Sequence, residues 1–105
     1  VTAFLKAVAL GWKDAVADPA KAVEALVKRN PAADPALETE RLQMSIDDNV
    51  LTDWVKANGL GGIDAERMAK AIEQTKSVYE FTAEPDAALY FDPAYLPTDG
   101  SLTLQ

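Results

Sequence analysis

Six prolines decide where this 105-residue chain can run as a regular element, because each fixes its own φ and lacks the N–H that a helix interior or a paired strand needs. Asp18-Pro19 and Asp34-Pro35 have the form of helix starts: the carboxylate caps free N–H groups, and proline at the first helical position gives up only an N–H without a partner. Asn30-Pro31 is a stop, since the residue before proline is pushed out of the α region. No strand pattern is evident between these signals.

Helical periodicity fills the intervals. From Val1 to Ala17, the side chains of Leu5, Val8, Trp12, Ala15 and Val16 share one side, with Phe4 at its edge and Lys6, Lys13 and Asp14 opposite. A second stripe, Ala22, Val23, Leu26 and Val27, runs to Arg29, and Lys28 and Arg29 meet the negative end of the helix dipole. The third helix splits its apolar residues: Leu37 and Met44 point one way, Leu42 and Ile46 nearly the other. It is either covered on two sides or bent near Ser45 to Asn49, and the sequence leaves both open.

Val50, Leu51, Trp54 and Val55 form a short stripe that stops at the left-handed signal Asn58-Gly59, and Gly61-Gly62 adds a flexible turn. Asp64 caps a further helix that aligns Met68, Ile72, Thr75 and Tyr79 and turns Lys70, Glu73, Gln74 and Ser77 to water. Beyond Phe81, Glu84-Pro85-Asp86, Asp92-Pro93 and Leu96-Pro97 leave at most a helical turn from Asp86 to Phe91. Ser101 to Gln105 alternates but is too short to make a sheet. The expected fold is all-α: four to five short amphipathic helices with an irregular, Pro-rich C-terminal tail.

Ten basic and seventeen acidic residues give a net charge of −7, with no His and no Cys. The charge opposes nucleic-acid binding, and the missing residues remove imidazole catalysis, thiol chemistry and disulfides. Apolar residues at 49% and charged ones at 26% are ordinary globular usage, sufficient for one core. Two lobes with a cleft between them do not fit this length. No apolar run approaches the ~20 residues that a membrane-spanning helix needs.

Few residues carry chemistry. Asp47, Asp48 and Asp53 gather carboxylates around Val50 to Val55, but their spacing matches no calcium loop, and a solvated acidic helix end is the simpler reading. Glu38 and Glu40 fall on different sides of a helix and cannot act as a paired acid and base. Gly59-Leu60-Gly61-Gly62 lacks the preceding strand and the Lys of a phosphate cradle and reads as a turn between helices. Ser45, Ser77 and Ser101 have no His to activate them, so no catalytic residue is expected. Trp12, Trp54, Tyr79, Tyr90 and Tyr95 are the aromatics able to stack on a planar ligand, and Trp12 and Tyr79 lie on apolar stripes as expected core. Trp54 stays open as a ligand-contacting residue, with Asp53 beside it; no metal site is expected.

Taken in order, Phe4-Leu5-Lys6-Ala7, Gly11-Trp12, Asp18-Pro19 with Ala22-Val23, Asn30-Pro31, Gly59-Leu60-Gly61 with Ile63-Asp64, Glu66-Arg67 and Tyr95-Leu96-Pro97 carry a family likeness. From Val1 to Pro97 the chain resembles the C-terminal third of a periplasmic solute-binding protein of an ABC importer. The branch in question holds the binders of nitrate, sulfonates, bicarbonate, thiamine-pyrimidine precursors and riboflavin. At the position after Arg67, where many relatives carry Trp, this chain has Met68, which fills the same kind of apolar site.

The resemblance implies two α/β lobes joined by crossing strands in the whole protein. Residues 1–97 would be a helical C-terminal segment packed on the first lobe and the hinge, and 98–105 an irregular tail. Most ligand contacts would lie upstream, on residues absent here. It also implies a periplasmic location, a small-molecule ligand held through the intact parent protein, an ABC permease as partner, and neither enzyme activity nor a cofactor. The apolar stripes of such a piece exceed what its helices can bury among themselves, so pairing into a homo-dimer or exchange of helices between copies is expected. The alternative is a stand-alone acidic helical protein-interaction module, for which capped amphipathic helices are equally good evidence.

Overall fold

The computed structural model describes residues 1–104. Six α-helices follow one another: α1 Thr2–Ala17, α2 Pro19–Arg29, α3 Pro35–Ser45, α4 Asp53–Asn58, α5 Ala65–Lys76 and α6 Ala87–Tyr90. A π-helical turn, Ile46–Val50, joins α3 to the segment before α4, and a 3₁₀ turn, Pro93–Tyr95, follows α6. The fold is all-α, with no strand among the described residues.

The start signals act as their chemistry requires. The Lys21 backbone N–H donates to Asp18 Oδ1 at 3.0 Å, and those of Ala36 and Leu37 donate to Asp34 Oδ1 at 2.9 and 3.1 Å. Arg67 N–H donates to Asp64 Oδ1 at 2.8 Å. Each carboxylate thus satisfies donors that the first helical turn leaves without partners. The Thr52 hydroxyl does the same for α4, accepting from Val55 N–H at 3.3 Å.

α2 packs between α1 and α3, and α5 contacts α6. The two-sided third helix resolves into the bent alternative. Leu51 N–H donates to the Ile46 carbonyl at 2.8 Å, a five-residue reach that widens the backbone at the end of α3. Ile46 and Val50 are buried on that turn and Leu42 is half-buried, while Leu37 and Met44 remain 45% and 59% exposed. Covering the Leu42 side leaves the Leu37–Met44 side to water.

Two aromatic expectations change. α5 ends at Lys76, before the Tyr79 position, and Tyr79 is 67% exposed rather than core. The Ser77 and Tyr79 N–H groups still bond back to Glu73 and Thr75, but the chain then leaves the helix and carries the ring away from the Met68–Ile72 stripe. Trp12 is only half-buried, in the wall of a groove.

The C-terminal segment is irregular yet takes part in the core. Leu60 N–H donates to the Leu102 carbonyl at 2.8 Å, Lys6 pairs with Asp99, and Ser101 and Leu104 are buried. The 98–104 stretch is therefore tied to both α1 and the glycine turn; Gln105 lies outside the described residues. The Lys6 ammonium against Asp99, with Ser101 N–H donating at 3.1 Å, holds the Asp99 carboxyl well below its ordinary value. A depressed native pKa stabilises the fold where the unfolded-state carboxyl is also ionised, and that gain is lost as pH falls toward the native value. Asp99→Asn should thus lower the denaturation midpoint at neutral pH. Its deficit should shrink as pH falls from about 5 to about 2. Denaturant melts of both proteins across that range check the sign; a deficit independent of pH would contradict it.

The core is thin. Ala9, Val23, Ile46, Val50 and Leu104 are its buried apolar residues, while Val1, Phe4, Val78, Tyr79 and Leu89 are each at least two-thirds exposed. The chain exposes 7859 Å², against about 5,700 Å² expected of a folded monomer of its mass. Its radius of gyration is 17.1 Å, against about 13 Å for a domain of this length.

Candidate functional site

Chain reversal at the glycine turn builds a small cleft. α4 ends at Asn58 with Gly59 as its C-cap, the chain turns through Gly61 and Gly62, and Asp64 caps α5. Between them lies a cleft of about 300 Å³ whose lining includes Trp54, Gly62, Asp64 and Arg67, with Asp48 reaching it from the π turn. Glycine is required at 62 for space: a Cβ there would sit 2.7 Å from Trp54 Cη2. The half-buried Trp54 ring is thus held against backbone on one side.

Trp54, the aromatic singled out from sequence, lines this cleft; Asp53 does not. Asp53 is the first residue of α4, its side chain is fully exposed, and it pairs with Lys56 Nζ at 3.7 Å. The three acidic residues that cluster in sequence separate in space. Asp47 accepts from Gln43 Nε2 at 3.0 Å on the α3 side, Asp48 faces the cleft and Asp53 points to solvent. Among the described residues no group of three or more such side chains is placed to hold a metal ion.

Sequence reasoning read Asp64 as a cap and gave Arg67 no role; the structure sets both across from Trp54. The available signal was the glycine turn, which is short enough to bring the start of α5 back to α4. An indole ring, carboxylates and a guanidinium around one small cleft are suited to hold a planar polar molecule.

A larger groove of about 480 Å³ runs between α1, α2 and α3, lined chiefly by apolar side chains such as Val8, Trp12, Val23, Leu26 and Leu42. Its lining also includes Arg41 and Glu38, paired at 2.8 Å. A third, apolar hollow of about 280 Å³ lies among Met68, Ile72, Phe81, Pro85 and Tyr90, between α5 and α6. The groups pushed from their ordinary pKa values are outside all three. Asp99 is one; Lys76, raised by the hydrogen bond it donates to Glu84 at 2.6 Å, is the other. Both are solvent-exposed ion pairs rather than chemistry in a cleft. No family model, curated protein or solved structure matches the chain.

Proposed function

We propose that this chain is the C-terminal helical portion of a periplasmic solute-binding protein of an ABC importer, with a mainly structural role in one lobe. The observation that carries the reading is the ordered run of segments from Phe4-Leu5-Lys6-Ala7 to Tyr95-Leu96-Pro97 that resembles the nitrate, sulfonate and thiamine-precursor binders. Two features agree with it. Exposed apolar residues on and before α6, Val78, Tyr79, Leu89 and Tyr90, are what a helical segment would present to the rest of a lobe. Trp54, with Asp64 and Arg67, lines a cleft large enough for a small solute.

In this reading the parent protein captures a small solute, the captured form is presented to a membrane permease, and no cofactor takes part. Expression of these residues joined to their upstream reading frame, followed by a thermal-shift screen, tests it. The screen covers thiamine-precursor pyrimidines, riboflavin, sulfonates and nitrate. A true ligand at a hundred times its dissociation constant stabilises the protein by about 2.7 kcal/mol. A shift with one of these compounds is the expected result. A reading frame that starts at or just before Val1 would overturn the proposal.

The stand-alone interaction module is the second reading, favoured by the apolar groove between α1, α2 and α3. Recovery of a protein partner by the 105-residue chain, with no small molecule bound by any longer form, would select it.

A further inference from the structure

We infer that residues 96–104 form a strap across the glycine turn, clasped by the Lys6–Asp99 ion pair, and that its release loosens the Trp54 cleft. This coupling lies within the chain itself and does not rest on the transport reading.

Contacts run without a gap from the strap to the indole. The Leu102 carbonyl accepts the Leu60 N–H at 2.8 Å, the one backbone hydrogen bond from the strap to the rest of the chain among the described residues. On either side of Leu60, a Cβ at Gly59 would sit 3.4 Å from Leu102 Cβ, and one at Gly61 would sit 3.2 Å from Leu96 Cδ2. The strap thus covers three successive residues of the turn. Gly62, the next residue, has the Trp54 ring against its backbone and no room for a Cβ, and that ring lines the cleft.

The turn needs a brace because of its own composition. Gly59 and Gly61 hold φ of 85° and 93°, and glycine reaches many other backbone conformations at little cost. Packing from the strap selects the shape seen. A chain of packed groups of this kind is what carries coupling from one place in a protein to another.

The strap itself is lightly held. It carries no helix or strand, and although Ser101 and Leu104 are buried, the side chains of its ion pair, Lys6 and Asp99, stay 48% and 45% exposed. Segments with few buried contacts and exposed bonds open locally at a lower free energy than the helices around them. Salt weakens an exposed ion pair, so ionic strength acts on the clasp and, through it, on the cleft. Opening frees the Gly59–Gly62 turn, and the indole loses the backbone behind it.

Trp12→Phe leaves Trp54 as the single indole of the full 105-residue chain, and acrylamide, a neutral quencher, then reads its exposure. In that background Lys6→Met and Asp99→Asn should each make Trp54 more readily quenched and shift its emission to the red, at unchanged far-UV helicity. Exchange of the Leu60 amide should quicken by roughly twofold to fivefold, the range that loss of an exposed ion pair allows. Raising sodium chloride should move the parent the same way and leave Lys6→Met unmoved. Lys13→Met, on the same helix but in no ion pair among the described residues, should change none of these readings. Faster Leu60 exchange with unaltered Trp54 quenching would overturn the coupling of strap to cleft. Unaltered readings in Lys6→Met and Asp99→Asn, or an equal change with Lys13→Met, would overturn the clasp. Loss of helicity alongside the change would mean unfolding in place of release and would overturn it as well.

Discussion

Ile46→Ala should lower stability by about 2–5 kcal/mol, enough to depress the thermal midpoint of a domain this size by ~10 °C or more. Ile46 is 1% exposed and the largest fully buried side chain among the described residues. It opens the π turn, and its carbonyl accepts the Leu51 N–H that widens the backbone there. Truncation removes apolar contacts and leaves a void that a wide, hydrogen-bonded turn closes poorly. Total stability of a domain of this length is about 5–15 kcal/mol, so one substitution in so small a core takes a large share. Met44→Ala, two residues earlier at 59% exposure, is the comparison and should stay within about 0.5 kcal/mol of the parent. Urea melts of the two variants decide the matter: equal losses would mean that the π turn is not the centre of the core.

The second large effect is expected at Gly59. Its φ of 85° and ψ of 167° lie in a region that is essentially glycine-only, where any other residue costs on the order of 1–3 kcal/mol. A Cβ there would also sit 3.3 Å from the Leu102 carbonyl oxygen, the acceptor of the Leu60 N–H. Gly59→Ala should therefore strain the turn and loosen the C-terminal segment that crosses it. Gly100→Ala isolates the two contributions, because Gly100 has a similar φ of 83° and nothing within 4 Å of its missing Cβ. Amide hydrogen exchange at Leu60 reads the difference. Exchange should quicken in Gly59→Ala and change little in Gly100→Ala; the same response in both would rule out docking of the segment as the cause.

Helix positions were legible because their signals are local. Asp18, Asp34 and Asp64 each cap donors two or three residues away, and such bonds form whatever the rest of the chain does. Trp54 was legible as an aromatic outside the core because polar residues flank its stripe, and it lines the small cleft. Asp53 was not separable from Asp48 by sequence, since which carboxylate faces the cleft depends on where the π turn ends and α4 begins. Arg67 entered the site through a chain reversal at Gly61-Gly62, and no periodicity within α5 announces it. Tyr79 was misplaced for a related reason: its spacing continues the α5 stripe, but the helix stops at Lys76 and the alignment ends with it.

The sequence by itself determined that this protein is built of short capped helices. Prolines and caps act within a few residues. Only the tertiary structure decided which apolar faces are covered. The choice of Leu42, Ile46 and Val50 over Leu37 and Met44, the burial of Leu104 and the exposed groove along α1 all depend on contacts between distant residues. Burial is a property of what packs against a helix, and a helix carries no record of that beyond its own stripe.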